Sequence, residues 1–116
     1  MLEQKLKALI PQQLPAFIGE LPSTAKDAVA IMLFDGNFNT EYFGEGTLCK
    51  PVAKVVVRHH SYEIGSNWIT LVKQALHRYH DDYFKSILMV GYPRYLGKDP
   101  QKLHEFQVVF SITIKE

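Results

Sequence analysis

The stretch from Glu105 to Lys115 constrains this chain most. Phe106, Val108, Phe110, Ile112 and Ile114 fall on one side of an extended backbone, and Glu105, Gln107, Ser111, Thr113 and Lys115 fall on the other, joined there only by Val109. Successive side chains of a strand point to opposite faces, so the alternation predicts a long strand with one face in a core. Such a strand needs a neighbour beside it and a layer over its apolar face. The rest of the chain has to supply both.

Ala28 to Phe34 is an unbroken apolar run that stops at Asp35-Gly36. Its length and turn residues favour a strand buried on both faces, and periodicity alone does not separate this from a helix. Val52 to Arg58 is a second strand, with Ala53, Val55 and Val57 alternating against Lys54 and Arg58. Ser86 to Val90 reads as a short buried strand ending at Gly91. The covering layer comes from Ser61 to about His80, where Ile64, Trp68, Leu71, Val72, Ala75, Leu76 and Tyr79 share one helical face. Ser61 fits the N-cap and Glu63 the first turn, while His77, Arg78 and His80 fall where a helix favours cations. Gly65 is expected to weaken the first turn by about 1 kcal/mol.

Residues 2–10 read as a short helix striped by Leu2, Leu6, Leu9 and Ile10 and ended by Pro11. Residues 11–27 form a connecting segment. Residues 35–50, rich in Gly and Asn, form a long loop, and residues 92–102, with two prolines and Gly97, a long hairpin arm or lid. The fold expected is one α+β domain over residues 1–116. Its sheet is mostly antiparallel, curved and four-stranded, with helices packed on one face, in the order helix-strand-strand-helix-strand-strand.

Charge and cysteine content narrow the function. Thirteen Lys and Arg against 12 Asp and Glu leave a formal charge of +1, no footprint for nucleic acid or an anionic membrane. The single cysteine, Cys49, allows no intramolecular disulfide and suits a reducing compartment. As a nucleophile it would need His59 or His60 brought close by the fold. The N-terminal MLEQKLKALIPQQL lacks the apolar core of a signal peptide, and no run is long enough to span a bilayer. A cytoplasmic site of assembly is therefore expected.

No catalytic or cofactor motif emerges. His77 and His80, three apart on a helix with Asp81 and Asp82 beside them, could project toward one ion, but nothing fixes a third ligand. His59 and His60 are adjacent on a strand and are expected to point to opposite faces, which keeps them from sharing an ion. Arg58 with Glu63, and Glu41 with Glu45, lack an orienting third group for acid–base work. The glycines match neither a P-loop nor a dinucleotide fingerprint, and no GxSxG elbow is present. The expectation is no enzyme, no cofactor and no metal. The aromatic and basic segment Tyr92, Arg94, Tyr95, Lys98 and Lys102 carries residue types that stack on single-stranded nucleic acid, and equally those enriched at protein–protein contacts.

Taken together, the strand ending Phe34-Asp35-Gly36, the strand ending Val55-Val56-Val57-Arg58, the amphipathic helix and the Pro93-Tyr95-Leu96-Gly97-Asp99 signature before Phe106-Gln107-Val108-Val109-Phe110 resemble a known family. They resemble the small minor capsid or tail terminator proteins of long-tailed bacteriophages and prophages, from about residue 28 onward. Lys98 stands where many relatives carry Arg. The resemblance implies a structural virion protein without catalysis. It implies a homo-oligomeric ring, commonly a hexamer, that caps the tail tube and offers a joining surface to the head connector at the tail–head junction. Self, tail tube protein and connector are thus the expected partners, with no membrane and no sequence-specific nucleic acid. Arg58, Tyr92, Arg94, Tyr95, Lys98 and Asp99 are the expected contact residues, with the 35–50 loop and the 92–102 arm as contact elements. The alternatives are a small nucleic-acid or ligand-binding domain using residues 92–102, or a metalloenzyme built on the histidines.

Overall fold

The computed structural model describes residues 2–19, 27–34, 48–49 and 51–115. Two helices, α1 (Leu2–Leu9) and α2 (Tyr62–Leu76), lie against strands β1 (Ala16–Ile18), β2 (Ala28–Phe34), β3 (Leu48–Cys49), β4 (Val52–His59), β5 (Phe84–Lys98) and β6 (His104–Lys115). The strands form a six-stranded sheet in the order β1-β2-β4-β6-β3, and β5 also pairs with β6. The alternating stretch is thus an interior strand of the sheet, paired on both sides. β4 and then β3 run along one side of it, and β5 along the other.

The α+β class holds, but the four-stranded antiparallel sheet is corrected to a six-stranded mixed one. β1 pairs parallel with β2, through Ala16, Phe17 and Ile18 opposite Val29, Ala30 and Ile31. It lies in what reads from sequence as a connector. Three residues between Pro15 and Gly19 are too few to show a period, and a proline just before an edge strand costs no ladder bond. β3 lies within the expected 35–50 loop. The rest of that loop is outside the described residues.

One apolar core serves both helices. Val29 and Ile31 of β2, Val55 and Val57 of β4, Phe106, Val108, Phe110 and Ile112 of β6 and Ile87 of β5 meet Leu6 and Ile10 of the N-terminal segment and Ile69, Val72 and Leu76 of α2. All these strand positions share one face of the sheet. Ser61 caps α2 as expected, its hydroxyl accepting from the Ile64 amide.

The helix face is rotated from the one the periodicity suggested. Gly65, Ile69, Val72 and Leu76 are the buried residues, while Ile64 is exposed. Gly65 explains the shift. A Cβ there would stand 2.7 Å from Phe106 Cε1 and 3.2 Å from His59 Cβ. The glycine that looked like a helix defect lets α2 sit directly on β4 and β6.

Two further corrections concern the end of α2 and the next strand. The helix stops at Leu76, so His77, Arg78 and His80 lie beyond its last turn, and Arg78 adopts a left-handed backbone (φ 69°). Ser86–Val90 is not a short buried strand but part of a fifteen-residue strand at the sheet edge. Leu88 (47% exposed) and Val90 (53%) project from the face opposite the helices.

Candidate functional site

The expected 92–102 arm is extended strand up to Lys98 rather than an irregular loop. Only residues 99–103 turn. Asp99 builds that turn: its Oδ1 accepts from the Gln101 and Leu103 amides (2.9 and 2.8 Å), its carbonyl accepts from the Lys102 amide (2.8 Å), and its own amide donates to Leu103 (2.9 Å). Lys102 takes a left-handed backbone (φ 67°) to close it. This is an Asx-type turn, in which a short carboxylate side chain replaces backbone acceptors.

β5 departs from ideal pairing three times. Val90 faces Val109 and Arg94 faces Gln107, so Gly91, Tyr92 and Pro93 stand against Val108 alone. Leu96 is an extra residue between Tyr95–Phe106 and Gly97–Glu105, and Lys85 another between Phe84–Ile114 and Ser86–Thr113. Gly91 (φ 75°) and Gly97 (φ 102°) supply left-handed backbone beside two of these bulges. Bulges and a proline blunt an exposed edge and re-aim its side chains. The result here is an outer strand whose Leu88, Val90, Tyr92 (79% exposed) and Leu96 face solvent, with Arg94 and Lys98 exposed among them.

Tyr95 belongs to a different neighbourhood. Its ring packs on Phe106 (5.1 Å between centroids) and Tyr62 (5.0 Å), and its hydroxyl and His104 Nδ1 share a hydrogen bond (2.8 Å). The aromatic cluster ties the start of α2 to the outer half of the hairpin.

Arg58 is buried (8% exposed) on the face opposite the helices, opposite Glu105 of β6 and Ala28 of β2. Burial raises the Glu105 carboxyl above its usual range and the Asp99 charge adds to this, while Arg58 and Lys54 oppose it. Arg58 thus differs from the other residues expected at a contact: it offers little surface.

The histidines fall into two groups. His77 accepts the Met89 amide at Nδ1 (3.0 Å) and so anchors the end of α2 to β5. Asp81 accepts from the Tyr79 hydroxyl and from the Tyr83 and Phe84 amides (2.7–2.8 Å), and these bonds, led by that from the Phe84 amide, hold its carboxyl below the usual range. These bonds account for the positions of His77, Tyr79 and Asp81.

His59 and His60 correct the opposite-faces expectation. β4 ends at His59, so strand alternation no longer governs His60, and the two rings stack 4.6 Å apart. Both meet Asp27, the residue before β2. His60 Nδ1 lies 2.9 and 3.1 Å from the two carboxylate oxygens, its amide donates to Oδ1 (3.0 Å), and His59 Nε2 lies 3.6 Å from Oδ2. The Ser61 amide donates to His59 Nδ1 (2.9 Å), which leaves Nε2 as the protonated nitrogen, and Trp68 meets the ring edge-on at 4.6 Å. Burial would raise the Asp27 carboxyl, but the His60 hydrogen bonds and the nearby imidazoles outweigh it and hold the group low. Burial also lowers His59, against the pull of Asp27. No sequence signal could have found this group, because Asp27 meets His60 only through the pairing of β2 with β4.

Cys49 is not part of it. The register sets Cys49 opposite Ile114 and His59 opposite His104, about 33 Å apart along β6.

What the arrangement offers is a braced sheet with one long, exposed, partly apolar edge, and no assembled nucleophile, base and oxyanion donor among the described residues. A model of the family described as bacteriophage tail terminator protein matches residues 4–116. The chain belongs to that family. A search of the curated proteins finds no match. Tail terminators are structural components of the phage virion, and the match spans both helices and the whole sheet of this one, including the N-terminal segment where the resemblance was weakest.

Proposed function

We propose that this tail terminator caps the tail tube as a ring of identical subunits, a hexamer in our reading, and presents the joining surface for the head connector at the tail–head junction. The observation that supports this reading is the exposed apolar row Leu88, Val90, Tyr92 and Leu96 along β5, flanked by Arg94 and Lys98. A closed ring needs a heterologous contact, in which one patch of a subunit meets a different patch of the next. The opposite edge of the sheet supplies a second patch: Phe17 and Ile18 of β1 are exposed as well. Two apolar edges at opposite ends of one sheet are what head-to-tail closure requires.

Tyr92, Arg94 and Lys98 are the contact residues in this reading. Asp99 shapes the turn beyond them, Tyr95 stiffens the hairpin from its inner side, and Arg58 stays within the sheet. Assembly takes place in the host cytoplasm, with the tail tube protein and the connector as partners.

Electron microscopy of the purified protein mixed with uncapped tail tubes tests the reading. The expected image is a ring of density at one end of each tube and a tube length that no longer grows. Tubes that stay bare and keep elongating at saturating protein would contradict it.

A further inference from the structure

We infer that Asp27, His59 and His60 form a binding site for one divalent transition-metal ion of the zinc class. One ligand atom from each residue lies within 4.8 Å of the others. An ion held at about 2.0–2.2 Å by tetrahedral nitrogen and oxygen ligands sets those atoms roughly 3.3 Å apart. The separations here are 2.9 and 3.1 Å between His60 Nδ1 and the carboxylate, and 3.6 Å between His59 Nε2 and Oδ2. The two imidazole nitrogens lie within 4.8 Å of each other, and rotation of the exposed His60 side chain is what brings all three ligand atoms onto one ion. Two imidazoles and a carboxylate suit Zn²⁺ and its neighbours rather than Mg²⁺ or Ca²⁺, which favour oxygen ligands.

The surroundings fit a site that can be entered. Asp27 and His60 border an open groove of about 480 Å³, completed by Gln101, Lys102 and Leu103 from the β5–β6 turn. Solvent in that groove provides the fourth ligand and the path in. Trp68 meets the His59 ring edge-on and restrains it. Two features limit affinity. Ligation through His59 Nε2 moves that ring's proton to Nδ1 and gives up the hydrogen bond from the Ser61 amide, so the ring must tilt away from that half-buried backbone N–H for water to reach it. Lys102 is a cation on the groove wall, though its exposed side chain is free to swing outward. Both lower the affinity, and the bound ion would staple the start of β2 to the corner between β4 and α2.

The test is calorimetric titration of Zn²⁺ into the tag-free, chelator-treated full chain, repeated with Co²⁺ and visible absorption. The site predicts one ion per chain, a Co²⁺ d–d spectrum, and a melting temperature several degrees higher when the ion is in large excess over Kd. His60→Ala, whose ring is exposed, and Asp27→Asn should each weaken binding roughly tenfold or more. A His77→Ala, His80→Ala double variant should leave the affinity within about twofold. Substoichiometric binding, binding that survives both His60→Ala and Asp27→Asn, or binding lost only in the His77/His80 variant would each overturn the assignment. His60→Ala keeps the test decisive if Asp27→Asn fails to fold.

Discussion

β4 and β5 flank the same central strand and differ in almost every other respect. β4 pairs with β6 residue for residue from Val52–Ser111 to His59–His104, and its second half, Val55 to His59, is buried throughout. β5 is nearly twice as long, slips register three times, carries a proline and two glycines with positive φ, and exposes much of its outer half. The difference separates two tasks. A strand that only holds a core can be short, regular and β-branched. A strand that must stay soluble as an edge and still present apolar side chains needs bulges to prevent indiscriminate pairing. Interrupted pairing next to exposed Leu, Val and Tyr is what the proposed contact surface rests on.

The comparison breaks first at the core. Phe110→Ala, on the β6 face that β4 and β5 share, should cost about 3–5 kcal/mol, measured by denaturant unfolding. A loss below about 1 kcal/mol would mean that the helix-covered face of β6 is not packed in the core. Gly65→Ala should come next. Its methyl group would collide with Phe106 and His59, an overpacking cost of roughly 1–3 kcal/mol, offset by about 1 kcal/mol of helix propensity. A more stable Gly65→Ala would show that α2 does not approach β6 as closely as described.

Gly97→Ala sharpens the contrast within β5. At φ 102° any side chain is strained, so a loss of about 1–2 kcal/mol is expected, confined to the outer hairpin and visible as faster amide exchange at Tyr95 and His104. An unchanged exchange pattern would argue against the bulge. The smallest effect belongs to Asp81. Its folded-state pKa lies below the ordinary 3.8, so the unfolded chain binds the proton more readily, and the stabilisation present above that value is lost as pH falls through the lower one. Asp81→Asn should therefore lose less stability than the parent on acidification below about pH 3.8, read as melting temperature against pH. Parallel curves would remove Asp81 from the account.

Much of the inner half of the molecule was legible in the sequence. The alternation of Glu105–Lys115, the apolar run Ala28–Phe34 and the Ser61 cap each follow from one local rule, and each appears in the structure where it was read. The outer half was less legible. Leu88 and Val90 sit in an apolar run that reads as buried, because hydropathy cannot tell an edge that awaits a partner from a strand that already has one. Tyr92–Lys98 reads as a loop because Gly91, Pro93 and Gly97 punctuate bulges with the same residues that punctuate turns. The Asp27–His59–His60 group was invisible because one residue past the end of β4 the period of two no longer applies. Gly65 was misread for a related reason: a propensity scale records what a glycine costs the helix and not what its missing Cβ admits.

The central claim is that the exposed row on β5 is a contact surface and not a part of the scaffold. A Leu88→Ser, Val90→Thr, Tyr92→Ser triple variant tests it most directly, because none of the three side chains is in the core cluster. Its unfolding free energy should stay within about 1 kcal/mol of the parent, while capping of tail tubes, counted by electron microscopy, should be lost. A folded variant that caps tubes as efficiently as the parent would contradict the claim.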